Sequence, residues 1–129
     1  MNSLSRKTHD EIDRLAREHG WRLVVLFGSA ARVGEARDVD LAVLPAELPD
    51  LMQQGRWVSE LEPLFAPRPV DLVVLSPNLA PLTRFEVFRA GVPLFEAEAG
   101  LMDREQDRAF FLYADSEVFR RAARETLRG

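Results

Sequence analysis

The sequence contains no cysteine, which excludes a disulfide framework, a thiolate zinc site and a cysteine nucleophile, and gives no sign of an oxidising compartment. Its longest apolar runs are strand-sized, far below the roughly 20 residues that a membrane-spanning helix requires. The opening residues, Met-Asn-Ser-Leu-Ser-Arg-Lys-Thr-His, turn polar at once and lack the apolar core of a signal peptide. A soluble, cytoplasmic protein is the expectation. Lysine is almost absent too, since Lys7 is the only one and positive charge otherwise falls to arginine. Arginine suits bidentate phosphate contacts, although so general a bias also reads as genome composition. A net charge of −4 argues against direct nucleic-acid binding, which depends on neutralising many phosphates.

What remains fits one domain of 129 residues, with a core expected over about residues 20–100 and a helical segment over about 101–128. On size scaling such a chain buries roughly two thirds of its unfolded surface, enough for a core without staples. No internal repeat and no low-complexity tract interrupts it.

The chain is organised around residues 23–44. An apolar run (Leu23, Val24, Val25, Leu26, Phe27) stops at Gly28-Ser29, a short small-residue segment follows, and Asp38-Val39-Asp40 opens a second apolar run through Leu44. The first run is rich in branched residues and reads as a strand covered on both faces, central in its sheet. Ser29 stands where it can cap a short helix with Arg32 on it, and Gly34 marks a loop. Because side chains alternate along a strand, Asp38 and Asp40 share one face while Val39, Leu41 and Val43 take the other.

Helices are expected around this unit. Thr8-His9-Asp10-Glu11 matches a capping box, which places a first helix from about Thr8 to the stop at Gly20. Asp50 can cap a second, with Leu51, Val58, Leu61 and Phe65 on its buried stripe and Pro63, Pro67 and Pro69 closing it. A third strand follows over residues 70–75, its apolar run interrupted only by Asp71. Ser76-Pro77 is a plausible helix start, leading into Leu82, Phe85 and Phe88 and ending at Gly91. Residues 92–95 contain Pro93 and suit a sheet edge, because proline cannot donate to a ladder. The remainder is helical in character, in one piece or divided near residues 114–116, with Phe111, Leu112, Val118, Phe119 and Ala122 as its apolar positions.

Alternating helices and strands give an α/β (α+β) class with a small mixed sheet. The connection of about ten residues after Phe27 is too short for a parallel crossover, so the first two strands pair antiparallel. That brings Gly28-Ser29 and Asp38/Asp40 to one sheet edge. Magnesium takes carboxylate and phosphate oxygens and keeps several waters, so an aspartate pair plus substrate phosphates satisfies it. Backbone amides at a helix start favour anions, and Gly28 lets the backbone approach closely. Arg32 adds a positive charge, unless it merely pairs with Glu35. Asp71 can complete a two-metal site for in-line nucleotidyl transfer with release of pyrophosphate.

Gly28-Ser29, Arg32, Gly34 and Asp38-Val39-Asp40-Leu41 together resemble the signature of the nucleotidyltransferase superfamily that includes DNA polymerase beta and the aminoglycoside nucleotidyltransferases. Within it the sequence is most similar to the minimal nucleotidyltransferases, which are often paired with a HEPN-domain ribonuclease toxin. Residues 91–96, Gly-Val-Pro-Leu-Phe-Glu, before a final helix also resemble that group. The resemblance implies a polymerase-beta-like core plus a C-terminal helix, with Gly28, Ser29 and Arg32 on the nucleotide. It implies Asp38, Asp40 and Asp71 as metal ligands and catalytic acids, Mg2+ as cofactor and ATP as substrate. It further implies an antitoxin that transfers AMP to a tyrosine of a HEPN toxin. Two departures stand out: the loop between Arg32 and Asp38 is short, and Arg37 occupies the place of a small residue before the first aspartate. They keep two rivals open, a non-catalytic antitoxin that neutralises by binding and a nucleotidyltransferase acting on a small molecule or an RNA. His9 and His19 read as structural, and Phe85, Phe88, Phe110, Phe111 and Phe119 as core or as a partner-facing surface.

Overall fold

A computed structural model describes residues 4–28 and 38–128. In chain order the described elements are helix α1 (Arg6–His19), strands β1 (Trp21–Phe27) and β2 (Val39–Pro45), helix α2 (Leu51–Phe65), strand β3 (Val70–Val74), helix α3 (Pro81–Arg89), strand β4 (Val92–Glu96) and helix α4 (Leu101–Arg128). The strands form one mixed sheet in the order β3-β2-β1-β4. β1 pairs antiparallel with β2 and β4, and β2 pairs parallel with β3. The α/β class, the central place of β1 and the edge position of the Pro93 strand are as the sequence leads one to expect.

Alternation along the strands sorts the sheet into two faces. Val24, Leu26, Val39, Leu41 and Val43 pack with Ile12, Leu15 and Ala16 of α1 and with Trp57 and Leu61 of α2. Leu23, Val25 and Ala42 take the opposite face with Val87 and Phe88 of α3 and Leu101 and Ala109 of α4. At one end of the first face Trp21 meets Trp57 edge-on at 5.3 Å, and His19 stacks on Trp21 at 5.4 Å. His19 Nε2 also lies 2.9 Å from Glu60 Oε2, tying α1 to α2, so this histidine is structural.

The helix boundaries correct four expectations. α1 starts at Arg6, because Ser5 Oγ accepts from the Thr8 amide at 3.1 Å and takes the cap that Thr8 was expected to supply. Such a cap contributes about 1 kcal/mol. Asp50 does cap α2, accepting from Gln53 N at 2.8 Å. Leu51, however, is 84% exposed on the first turn, Trp57 is the buried residue, and Pro63 lies inside the helix rather than closing it. α3 begins at Pro81 and not at Ser76-Pro77. The residue before a proline is pushed out of the helical region, and Ala80 accordingly sits at φ −57, ψ 139, so only Pro81 can open the helix. Finally, α4 is one continuous helix with no break near residues 114–116.

Among the described residues α4 packs on the body through its first part, with Leu101, Met102 and Ala109. Phe85 meets Phe110 at 5.2 Å and stacks on Tyr113 at 4.4 Å. No described side chain from Ala114 to Thr126 is buried, while Phe111 is 73% and Val118 65% exposed. Among the described residues no helix is long and apolar enough to cross a membrane.

Candidate functional site

The site is a row of residues set by strand register. β1 ends at Phe27, which is the cross-strand partner of Asp40, and Asp40 in turn is the partner of Asp71 on β3. Adjacent strands lie about 4.8 Å apart, so in-register side chains on one face are immediate neighbours. Val39 and Leu41 point into the α1/α2 core while Ala42 belongs to the other, which puts Asp40 on the α3/α4 face. The same alternation on β3, with Val70 and Leu72 facing one way and Val73 the other, puts Asp71 beside it. The Val39 amide donates to the Pro69 carbonyl at 2.9 Å, extending the β2–β3 ladder to the end where the acids stand. Asp38 lies just before β2 and is exposed.

Gly28 closes the row. Its φ of +72 is in the left-handed region, and a Cβ built there would lie 2.3 Å from Asp40 Oδ2. The Asp40 carboxylate therefore lies against bare backbone, and glycine is required both by the turn and by this close approach.

Electrostatics mark the same place. Burial, then the charge of Asp71, then that of Asp38 raise the Asp40 carboxyl above the usual aspartate range. Both charged neighbours acting on it are acids. Three carboxylates converging on one sheet edge repel one another, and a cation that prefers oxygen ligands relieves that repulsion. Carboxylate oxygens are donors that a divalent metal prefers, but among the described residues these three are not gathered to the spacing of one ion's ligands, whereas Glu18, His19 and Glu60 are.

One side of the row was not visible in the sequence. Phe27 and Gly28 share a cavity of about 120 Å³ with Glu86, Arg89 and Ala90 of the α3 end. Arg89 Nη2 lies 3.3 Å from Glu86 Oε2 and is half-exposed. The turn after α3 is held tightly to β1, for a Cβ at Gly91 would lie 2.6 Å from Val25 Cγ1 and 2.3 Å from the Val87 carbonyl. That close seating brings Arg89 next to Gly28. In the sequence an arginine in a last helical turn reads only as a complement to the helix dipole.

Of the residues expected from the sequence, Gly28, Asp38, Asp40 and Asp71 are thus brought together. Ser29 and Arg32, with Gly34 and Arg37, lie outside the described residues.

Comparison with known proteins bears on this arrangement. Residues 10–99 match the family described as polymerase beta, nucleotidyltransferase. Among curated proteins none matches the chain by sequence. Several solved structures share the fold. One is a toxin–antitoxin complex with AMP-PNP, at 22% identity and TM-score 0.75, covering 94% of this chain and 98% of that one. Another is the MNT antitoxin in complex with the tri-AMPylated HEPN toxin of Shewanella oneidensis, at 21% identity and TM-score 0.72, covering 96% and 98%. A MntA-HepT toxin–antitoxin structure gives 20% identity and TM-score 0.72, covering 97% and 100%. At these identities the likeness is one of fold.

Proposed function

Because the chain belongs to the polymerase beta nucleotidyltransferase family, we propose that it transfers AMP from ATP, with magnesium, to a tyrosine hydroxyl of a HEPN-type toxin and so acts as the antitoxin. The observation that carries the reading is the row Gly28, Asp40, Asp71, assembled by strand register on one face. Asp38, Asp40 and Asp71 would hold magnesium, which when bound neutralises charge on the triphosphate and its leaving group. Gly28 leaves the backbone bare, so phosphate oxygens can approach amides directly. The acceptor oxygen attacks the α-phosphorus, the bond from that phosphorus to the bridging oxygen of the β-phosphate breaks, and pyrophosphate leaves. Asp71 would take the proton of the acceptor hydroxyl, a role supported by its exposure on an edge strand.

A protein acceptor accounts for the second half of α4. Phe111 and Val118, seven residues apart, lie on one stripe of a helix that this chain leaves uncovered, and such a stripe suits a partner chain. Val118→Glu should weaken the complex with the toxin by more than about tenfold, as expected when a charge enters an apolar contact, and leave the melting temperature of the free protein unchanged. Titration calorimetry with the purified partner checks this.

Arg89 is assigned to the nucleotide because it lines the same cavity as Gly28. Arg89→Ala should raise KM for ATP about fivefold, the weight of one exposed charge contact, with kcat little changed. Steady-state kinetics distinguish that from loss of fold, which lowers both.

The direct test is label transfer with ATP labelled on the α-phosphate, magnesium and the product of the neighbouring gene. Label on that protein supports the reading. A stable, silenced but unlabelled complex replaces it with a binding antitoxin, and label on a small molecule or an RNA end with a different acceptor.

A further inference from the structure

At the end of β2 and β3 away from the carboxylates lies a second cavity, of about 210 Å³, lined by none of the residues assigned to the transfer. Leu44 and Leu75 line it, Leu48 stands at its rim 59% exposed, and three charged side chains enter it: Arg84, Glu105 and Arg108. Arg84 is 4% exposed and is the only buried charged or polar residue among those described. Its guanidinium donates to the Ser76 carbonyl, anchoring the turn before α3. Its remaining donors are poorly served, because Nη1 is 3.9 Å from Glu105 Oε1, beyond hydrogen-bond reach. Glu105 Oε1 is itself buried with no hydrogen-bond partner among the described residues. A buried ion pair is tolerable only when its spare donors and acceptors are satisfied, so this one is incomplete.

Arg108, exposed on the next turn of α4, adds a second positive charge at the same cavity. Burial and then this neighbour push the Arg84 proton affinity down, while Glu105 pulls it up. Two guanidinium groups against one carboxylate leave the cavity with one net positive charge.

We propose that this cavity is a binding site for a small oxyanion that also carries a hydroxyl, such as a hydrogen phosphate or phosphate-like group, with Arg84 and Arg108 holding the anionic oxygens and Glu105 Oε1 accepting from the O–H. Guanidinium donors match such oxygens bidentately. The lone acceptor then finds the donor that it lacks. Leu44 and Leu75 give an apolar floor for whatever body carries the group.

Inorganic phosphate and sulfate are the probes, since sulfate has the charge without the hydroxyl. The readout is the Arg84 Nε–H resonance of the full chain, which separates this cavity from any phosphate bound beside Gly28. Phosphate should shift that resonance saturably and bind more tightly than sulfate. Arg108→Ala, at an exposed position, should weaken phosphate about tenfold, the weight of one charge-assisted hydrogen bond. Glu105→Gln removes the carboxylate charge and adds an N–H donor beside the remaining carbonyl acceptor, and should reverse the preference in favour of sulfate. An Arg84 resonance that does not move, or moves equally with Arg108→Ala, overturns the proposal. Equal affinity for the two anions, unchanged by Glu105→Gln, marks an adventitious ion only and overturns it as well.

Discussion

Asp40→Asn should abolish nucleotide transfer and at the same time raise the melting temperature of the metal-free protein. The two effects share one cause. Asp40 is half-buried beside Asp71 and Asp38, and burial followed by those two charges raises its carboxyl above the usual range. An acid whose folded pKa exceeds its unfolded value destabilises the fold once it ionises, so the cost is complete above the folded pKa, shrinks as pH falls below it and is gone below the unfolded pKa. Asparagine has nearly the same shape and no charge, so the cost is removed at neutral pH. The gain is read directly as a rise in melting temperature. Activity moves the other way. On the proposed role of Asp40 as a metal ligand, its loss forfeits several kcal/mol of charge stabilisation, and each 1.4 kcal/mol is tenfold, so the rate should fall by about 10³ or more. Thermal melts in chelator, then with saturating magnesium, separate the contributions. Magnesium should raise the wild-type melting temperature and leave the variant nearly unmoved. Transfer by the variant at the wild-type rate would remove Asp40 from the site.

The row that carries this prediction was legible because its parts are short-range. The length of the connection after Phe27 forces β1 and β2 antiparallel, strand alternation fixes which side Asp40 takes, and a lone acid in the β3 run asks for a reason. The observed register, Phe27 to Asp40 to Asp71, answers it. What could not be read depends on contacts distant in sequence or on competition between neighbours. Ser5 wins the cap from Thr8 although the Thr8-Glu11 spacing matches the better-known pattern. Pro81 sets the start of α3 through its effect on Ala80, a stronger constraint than the cap and proline offered by Ser76-Pro77. Trp57 displaces Leu51 from the α2 stripe because Trp21 and His19 stand opposite it. Arg89 and Arg84 differ in the same way. Both are arginines on one helix, five residues apart, and only the packing of α3 sends one toward Gly28 and buries the other near Glu105.

Those two arginines also divide the α3/α4 face into separate tasks. The carboxylates stand where β2 and β3 begin and β1 ends, whereas the Arg84 cavity lies where β2 and β3 end. From Asp40 to Leu44 the strand climbs about 13 Å at its usual rise per residue. A ligand at Arg84 would reach the row through the elements common to both places: β2 with Asp40, β3 with Asp71, and α3 with Arg89.

Gly28→Ala should reduce transfer by about 10², less than Asp40→Asn, while lowering stability instead of raising it, and the contrast in sign is the useful part. The new methyl group meets Asp40 Oδ2 at 2.3 Å in the wild-type geometry. The atom it meets is the tip of a side chain, so the clash is relieved by rotating the carboxylate away, at little cost to the core. Relief of the clash is what destroys the site, because a carboxylate swung from its place no longer aligns with Asp71, and a misplacement of about 1 Å costs on the order of 10² in rate. The backbone adds a second penalty, since φ of +72 is strained for alanine, by roughly 1–2 kcal/mol. The melting temperature should accordingly drop by several degrees. Adding Asp40→Asn to Gly28→Ala distinguishes the two penalties: asparagine still clashes, so the backbone strain and the steric contact persist, but the charge repulsion is gone and part of the lost stability returns. Activity does not return with it. If Gly28→Ala retained the wild-type rate, close approach of the backbone to the Asp40 carboxylate would have no part in the reaction, and the assignment of Gly28 to the triphosphate would fall with it.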